Sequence, residues 1–281
     1  LHAAGTGYGA SIALDLPIIV KALDRPSKRQ LEDSDGVLPA VVDAWVSNGL
    51  ALPEGLEAND IHWAVASKIP QNRGLKSSAA LSVAGIKALC EATNTDLSDF
   101  EIVSLSSQAQ MNAGVSITGS IDDSWACLTK GWRLINANAE DIESGVVMSG
   151  PGPNPDDWIV LIAARDERKS RPELENFAPL FQEFEKALIA LQQGEILNCL
   201  TINGRAVCSV TNDLQGRRIA NDAFINGARA SGVTGSGPAV VIIIPSLVRS
   251  SAERIKSALS RLMSSDQIIE TKFLSLDTDE L

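Results

Sequence analysis

The sequence predicts an α+β fold in two domains, and three observations carry that expectation. Strand-like and helix-like stretches are mixed without a regular β-α-β repeat, which argues against a doubly wound parallel sheet. At 281 residues the chain has room for two ordinary domains. The run Ser149-Gly150-Pro151-Gly152-Pro153-Asn154-Pro155 fits neither a helix nor a central strand. A junction placed beside it divides the chain into 1–150 and 151–281. With 44% hydrophobic and 21% charged residues the chain is globular rather than disordered.

In chain order, Gly5-Thr6-Gly7-Tyr8-Gly9 reads as a tight hairpin turn, with close backbone approach to a ligand as the alternative. Strands are expected over Ser11–Leu16 and Ile18–Leu23. Asp24 to Gly36 is a polar surface loop, with a mobile flap over a substrate as the alternative, and Pro39–Asn48 a short helix stopped by Gly49. From Ile61 to Ile69, Ile61, Trp63 and Val65 alternate with His62, Ala64 and Ala66, the period of a half-buried strand. Ala79–Ala92 holds good helix formers. Ser98 and Glu101 form a capping box for a helix reaching about Asn112. Strands follow over Gly131–Ala137 and Trp158–Ala164. Helices follow over Phe177–Gln193, Glu195–Val210 and Arg217–Ala230. In the second of these, Asn203-Gly204 is a weak spot that fits close packing on a ligand or partner. Val240–Ile244 is a strand, Ser251–Met263 a helix and Ile268–Leu274 a last strand, before an acidic tail, Asp277–Leu281.

Three stretches carry chemistry. The first is Pro70-Gln71-Asn72-Arg73-Gly74-Leu75-Lys76-Ser77-Ser78-Ala79-Ala80, between a strand and a helix. A strand that turns through such a loop into a helix aims free N–H groups and the positive end of the helix dipole at one point, where an anion fits. Lys76 and Arg73 add charge, and Ser77 and Ser78 can hold a phosphate oxygen or Mg²⁺. The spacing is not that of a Walker A loop. The competing reading is an ordinary loop with Ser77 as helix cap. The second stretch runs from Gly114 to Cys127, where Asp122 and Asp123 supply either a base or Mg²⁺-holding groups, or simply cap a helix from Ser124. The third is Gly232-Val233-Thr234-Gly235-Ser236-Gly237-Pro238-Ala239, an anion-binding nest or a plain turn.

The formal net charge of −11 argues against nucleic acid or an anionic membrane as partner, and no apolar run reaches membrane-spanning length. Leu1-His2-Ala3-Ala4 has no signal-peptide pattern, and the lack of an initiator Met suggests missing first residues. Cys90, Cys127, Cys199 and Cys208 show no paired spacing and read as buried thiols in a reducing cytosol. Arg165, Arg168, Lys169 and Arg171 form the densest basic cluster, either a solvated loop or a recruiter of an anionic substrate.

Taken jointly, G-L-K-S-S-A-A, then A-G-V-S-I-T-G-S-I-D-D-x-x-A-C, then T-G-S-G-P-A resemble the three motifs of the GHMP kinases. Within that superfamily the extended second motif and the opening G-T-G-Y-G-A-S-I-A-L-D-L are similar to archaeal-type shikimate kinases. The resemblance implies a ribosomal-protein-S5-like N-terminal domain, a ferredoxin-like C-terminal domain and a site between them. It implies ATP and Mg²⁺ as cofactors and a cytoplasmic enzyme of aromatic amino acid biosynthesis that phosphorylates the 3-hydroxyl of shikimate. Arg73, Gly74, Leu75, Lys76, Ser77, Ser78 and Ala79 would cradle the phosphates, with Ser78 on the metal. Thr234, Gly235, Ser236 and Gly237 would lie beside them. Asp122 matches the base of mevalonate kinases. Two departures stand out: Tyr8 replaces a frequent Lys, and the helix before Gly114 offers Gln108, Gln110 and Asn112 but no carboxylate where mevalonate kinases place a second metal ligand. Homoserine or mevalonate kinase, or a non-catalytic ATP-binding module, are the alternatives. The oligomeric state is left open.

Overall fold

The computed structural model describes residues 1–29, 33–116, 118, 121–167 and 172–276. Part of the polar loop after Asp24, the basic residues Arg168, Lys169 and Arg171, Ile117, Gly119 and Ser120 of the second motif, and the tail from Asp277 lie outside the described residues. The elements are α1 (Ala3–Thr6), β1 (Tyr8–Ile12), β2 (Ile18–Leu23), α2 (Val37–Ser47), β3 (His62–Ser67), α3 (Ser77–Thr93), α4 (Asp99–Asn112), α5 (Asp122–Leu128), β4 (Trp132–Asn136), α6 (Ile142–Gly145), β5 (Val146–Gly150), β6 (Trp158–Ala163), α7 (Phe181–Gln192), α8 (Ile196–Val210), α9 (Leu214–Ile225), β7 (Ala230–Val233), β8 (Val240–Pro245), α10 (Arg249–Leu259) and β9 (Ile268–Thr271).

Three antiparallel sheets result, in the orders β1-β4-β5, β2-β3 and β7-β8-β6-β9. Helices and sheets are mixed in the α+β manner expected. The central strands of the largest sheet, β6 and β8, are continuous apolar runs because both faces are buried. Ile159, Leu161, Ile242 and Ile244 pack with Val207, Ile219 and Ile255 of α8, α9 and α10. On the opposite face, Val160, Ile162, Val241 and Ile243 meet Leu14, Leu16 and Leu75 from the first half of the chain. Each fully buried side chain of this size is worth about 1.5–3 kcal/mol. The partly buried Leu14, Leu16 and Leu75 thereby tie the first half of the chain to the sheet.

Local expectations fail at identifiable points. The opening glycine stretch is a helical turn closed by Gly7 in the left-handed region, and β1 begins at Tyr8 rather than Ser11. Strands β5 and β7 fall where no strand was expected: β5 is short and half exposed, and β7 is rich in small residues. Cys127 is exposed, contrary to the buried-thiol expectation, whereas Cys199 and Cys208 are buried. Arg165 is no solvated recruiter of anions. It is 8% exposed, and its Nε donates to the carbonyl of Pro238 at 2.7 Å. Its two terminal nitrogens clasp the Asp213 carboxylate, which also caps α9.

Candidate active site

The loop between β3 and α3 folds as its residues dictate. Asn72, Gly74 and Lys76 all take positive φ, turning the chain sharply from β3 into α3. Lys76 is the N-cap of α3 and its side chain makes no cap hydrogen bond, so Ser77 is not the cap but the first helical residue. The helix N-terminus therefore faces a small polar cavity of about 110 Å³, lined by Gly74, Lys76, Ser77, Ser78, Asp122 and Asp123 among others. Gly74 backs onto the third motif. A Cβ there would stand 2.4 Å from the Thr234 carbonyl oxygen and 2.9 Å from N and O of Gly237, at a φ of +78°. The amide of Ala239 donates to the Arg73 carbonyl at 2.9 Å, so the two glycine-rich loops brace each other.

The carboxylates stand at the first two positions of α5, with Ile121, not Asp, as N-cap. Negative charge is favoured there by the helix dipole. Asp122 is 4% exposed, and Ser11 Oγ of β1 donates to its Oδ2 at 2.5 Å; Asp123 Oδ1 lies 3.1 Å from the same hydroxyl. Lys76 Nζ stands 2.6 Å from Asp123 Oδ1. Burial, reinforced by the neighbouring charge of Asp122, pushes the Asp123 carboxyl up to about 6, with Lys76 opposing. Burial alone would lower the Lys76 ammonium, but Asp123 and Asp122 outweigh it and hold it above its ordinary value. Behind the pair a buried chain runs from Ser82 to Ser106 (2.6 Å) to Ser124 (2.8 Å), and Gln110 Nε2 donates to Ser124 at 3.0 Å. It ties α3, α4 and α5 into one support, so the carboxylates are fixed relative to the loop before α3.

A second, larger cavity of about 390 Å³ opens on the other side of the Lys76–Asp123 pair. Its walls are mostly apolar, with Ser11, Asp15, Cys127, Asn203 and Thr234 as polar points. Cys127, an exposed side chain of α5, lines this cavity beside Asp123. Lys76, Asp123 and His2 border both cavities, whereas Asp122 borders only the small one. The His2 ring accepts the Ala4 amide at Nδ1, so Nε2 carries the proton and donates to Ser236 Oγ at 2.9 Å.

The residues singled out from the sequence thus divide. Gly74, Lys76, Ser77, Ser78, Ala79, Ser236 and Asp122 border the small cavity, while Leu75, Thr234 and Gly235 line the large one. Arg73 borders neither. Its Nη1 donates to the carbonyl of Ala164 at 2.6 Å, so it joins the loop to the end of β6. Gly237 serves as backing for Gly74. Sequence reading gave no cavity role to His2, Ser11 or Asp15; Ser11 and Asp15 lie in the opening motif, but only the fold brings them to the cavity. Gln110 lines the small cavity.

A polar cavity at a helix N-terminus is thus braced by a second glycine loop and joined through an ion pair to a larger pocket. The family profile described as GHMP kinases N terminal domain matches residues 45–131. Galactokinase from Lactococcus lactis, solved with galactose, superposes with a TM-score of 0.71 over 99% of this chain and 90% of its own, at 13% identity. That likeness shows the fold. Shikimate kinase of Methanocella arvoryzae is 31% identical over 74% of this chain and 70% of its own length. Shikimate kinase of Methanothermobacter thermautotrophicus is 24% identical over 86% and 83%. The chain belongs to the archaeal-type shikimate kinase family of the GHMP superfamily.

Proposed function

We propose that this protein transfers the γ-phosphoryl group of ATP to the 3-hydroxyl of shikimate. The observation that carries the reading is the meeting of two cavities at Lys76 and Asp123. One has the size and polarity for a phosphate chain, and the other suits a small ring. The similarity to shikimate kinases supports the choice of acceptor. We place the division between the two domains at residue 150.

In this reading the amides at the start of α3 and the hydroxyls of Ser77 and Ser78 hold the phosphates, and Lys76 offsets the charge on the transferring group. Mg²⁺, which neutralises phosphate charge when bound, would be held by Ser78 and by Asp122. The donor set fits: a hydroxyl, a carboxylate and phosphate oxygens are hard oxygen ligands. Mg²⁺ keeps several waters and needs no cluster of carboxylates, and none of three or more His, Cys, Asp or Glu occurs among the described residues. Asp122 matches the family's base. Asp123 competes for that role, because it alone of the two borders the acceptor cavity. The base takes the hydroxyl proton as the oxygen attacks the γ-phosphorus, whose bond to the β–γ bridging oxygen breaks and releases ADP. Lys76 and Ser11 keep both carboxylates in place.

Phosphorus and proton NMR of the product tests the reading. A single monoester on the 3-oxygen of shikimate is expected. A phosphate on another oxygen, or none, would overturn it.

A further inference from the structure

Asn203 lies in the middle of α8 and is 7% exposed, an unusual place for an amide. Its neighbour explains how it comes to be there. A Cβ on Gly204 would stand 2.4 Å from Gly232 Cα and 2.7 Å from the Val233 amide. The helix therefore lies directly on β7, and that contact fixes which way residue 203 faces. Asn203 lines the large cavity and not the small one. Its Oδ1 accepts the backbone amide of His2 at 2.9 Å. That bond sets the orientation of the side chain, since the opposite one would place two donors face to face. The Nδ2 hydrogens must then point elsewhere. Among the described residues nothing accepts them, and the nitrogen is not sealed from the cavity.

We propose that Asn203 binds the acceptor molecule, its Nδ2–H donating a hydrogen bond to an acceptor oxygen, either a ring hydroxyl or the carboxylate. An apolar group seated against this donor would leave it unpaired, so the residue selects acceptors that carry an oxygen at that point. The proposal rests on the kinase reading above for the identity of the acceptor, and on geometry alone for the residue.

The test compares wild type with Asn203→Asp, which keeps the oxygen that holds His2 and removes the donor, and with Asn203→Ala. The expected result is a KM for shikimate raised about tenfold, with kcat and the KM for ATP within about twofold. Shikimate analogues lacking the 4- or 5-hydroxyl, or carrying the carboxylate as a methyl ester, locate the partner. The analogue missing that oxygen should cost the wild type what the substitution costs, and cost Asn203→Asp nothing further. An unchanged shikimate KM in Asn203→Asp, or equal rises for ATP and shikimate, would overturn the proposal while leaving the kinase reading intact. If homoserine or mevalonate proved to be the acceptor, the choice of shikimate would fall, and the same KM ratio on that acceptor would still decide the role of Asn203. Without turnover, calorimetric binding of the three acceptors to both proteins makes the same comparison.

Discussion

The two cavities that meet at Lys76 are built by opposite means. The small one grows from a local nucleus, the backbone amides, two hydroxyls and cation at the start of α3, and is completed by Gln110, Asp122 and Asp123 and by Ser236 of a second short loop. The large one takes its polar points from β1 and the loop after it, α5, α8 and the loop after β7, from Ser11 to Thr234. On the proposed reading the phosphates meet the main chain at the start of α3, which has a local sequence grammar, whereas the acceptor meets side chains that only the fold brings together.

The largest effects should come from the boundary between the cavities. Asp122→Asn and Asp123→Asn should separate the roles of the two carboxylates. The one that takes the proton should lose about 10²–10⁴ in kcat, and the other should chiefly raise the KM for MgATP. Steady-state kinetics on both variants decides which is which. Next comes Gly74→Ala, which drives a methyl into the Thr234 carbonyl at a strained φ. It should separate the two loops, lower the melting temperature and weaken ATP binding, as thermal unfolding with and without nucleotide would register. Gly204→Ala should cost about 1–3 kcal/mol by lifting α8 off β7, measured by denaturant unfolding.

The pH dependence sharpens the contrast further. With Asp123 near 6, activity that needs its ionised form should fall as pH drops through 6. Stability should move the other way. Between the ordinary carboxyl range and about 6 the folded protein holds a proton that the unfolded chain has lost, so this group's contribution to stability rises as pH falls through that window. Asp123→Asn should abolish that part of the melting-temperature profile. The smallest effect is expected from Arg73→Met, which breaks the bond to the Ala164 carbonyl but removes no cavity group. The KM for ATP should stay within about twofold and the melting temperature drop by a few degrees.

These contrasts also explain what the sequence could tell. The strand, loop and helix around Gly74 were legible because periodicity changes there and the turn residues are local. The capping box at Ser98 was legible for the same reason. Asp122 and Asp123 were visible as a pair, but their division between two cavities depends on how α5 meets Lys76 and Ser11. Arg73 and Arg165 looked like anion binders because charge is visible in a sequence and carbonyl partners are not. Strand β7 was hidden by its small residues, which let Gly204 approach. Asn203-Gly204 stood out as a poor helix sequence, and its reason is tertiary.

The most direct test of the whole account is ADP release by the purified protein with MgATP and, in turn, shikimate, homoserine and mevalonate. The account predicts turnover with shikimate and none with the others. Turnover with homoserine or mevalonate instead, or ATP binding without turnover on any acceptor, would contradict it.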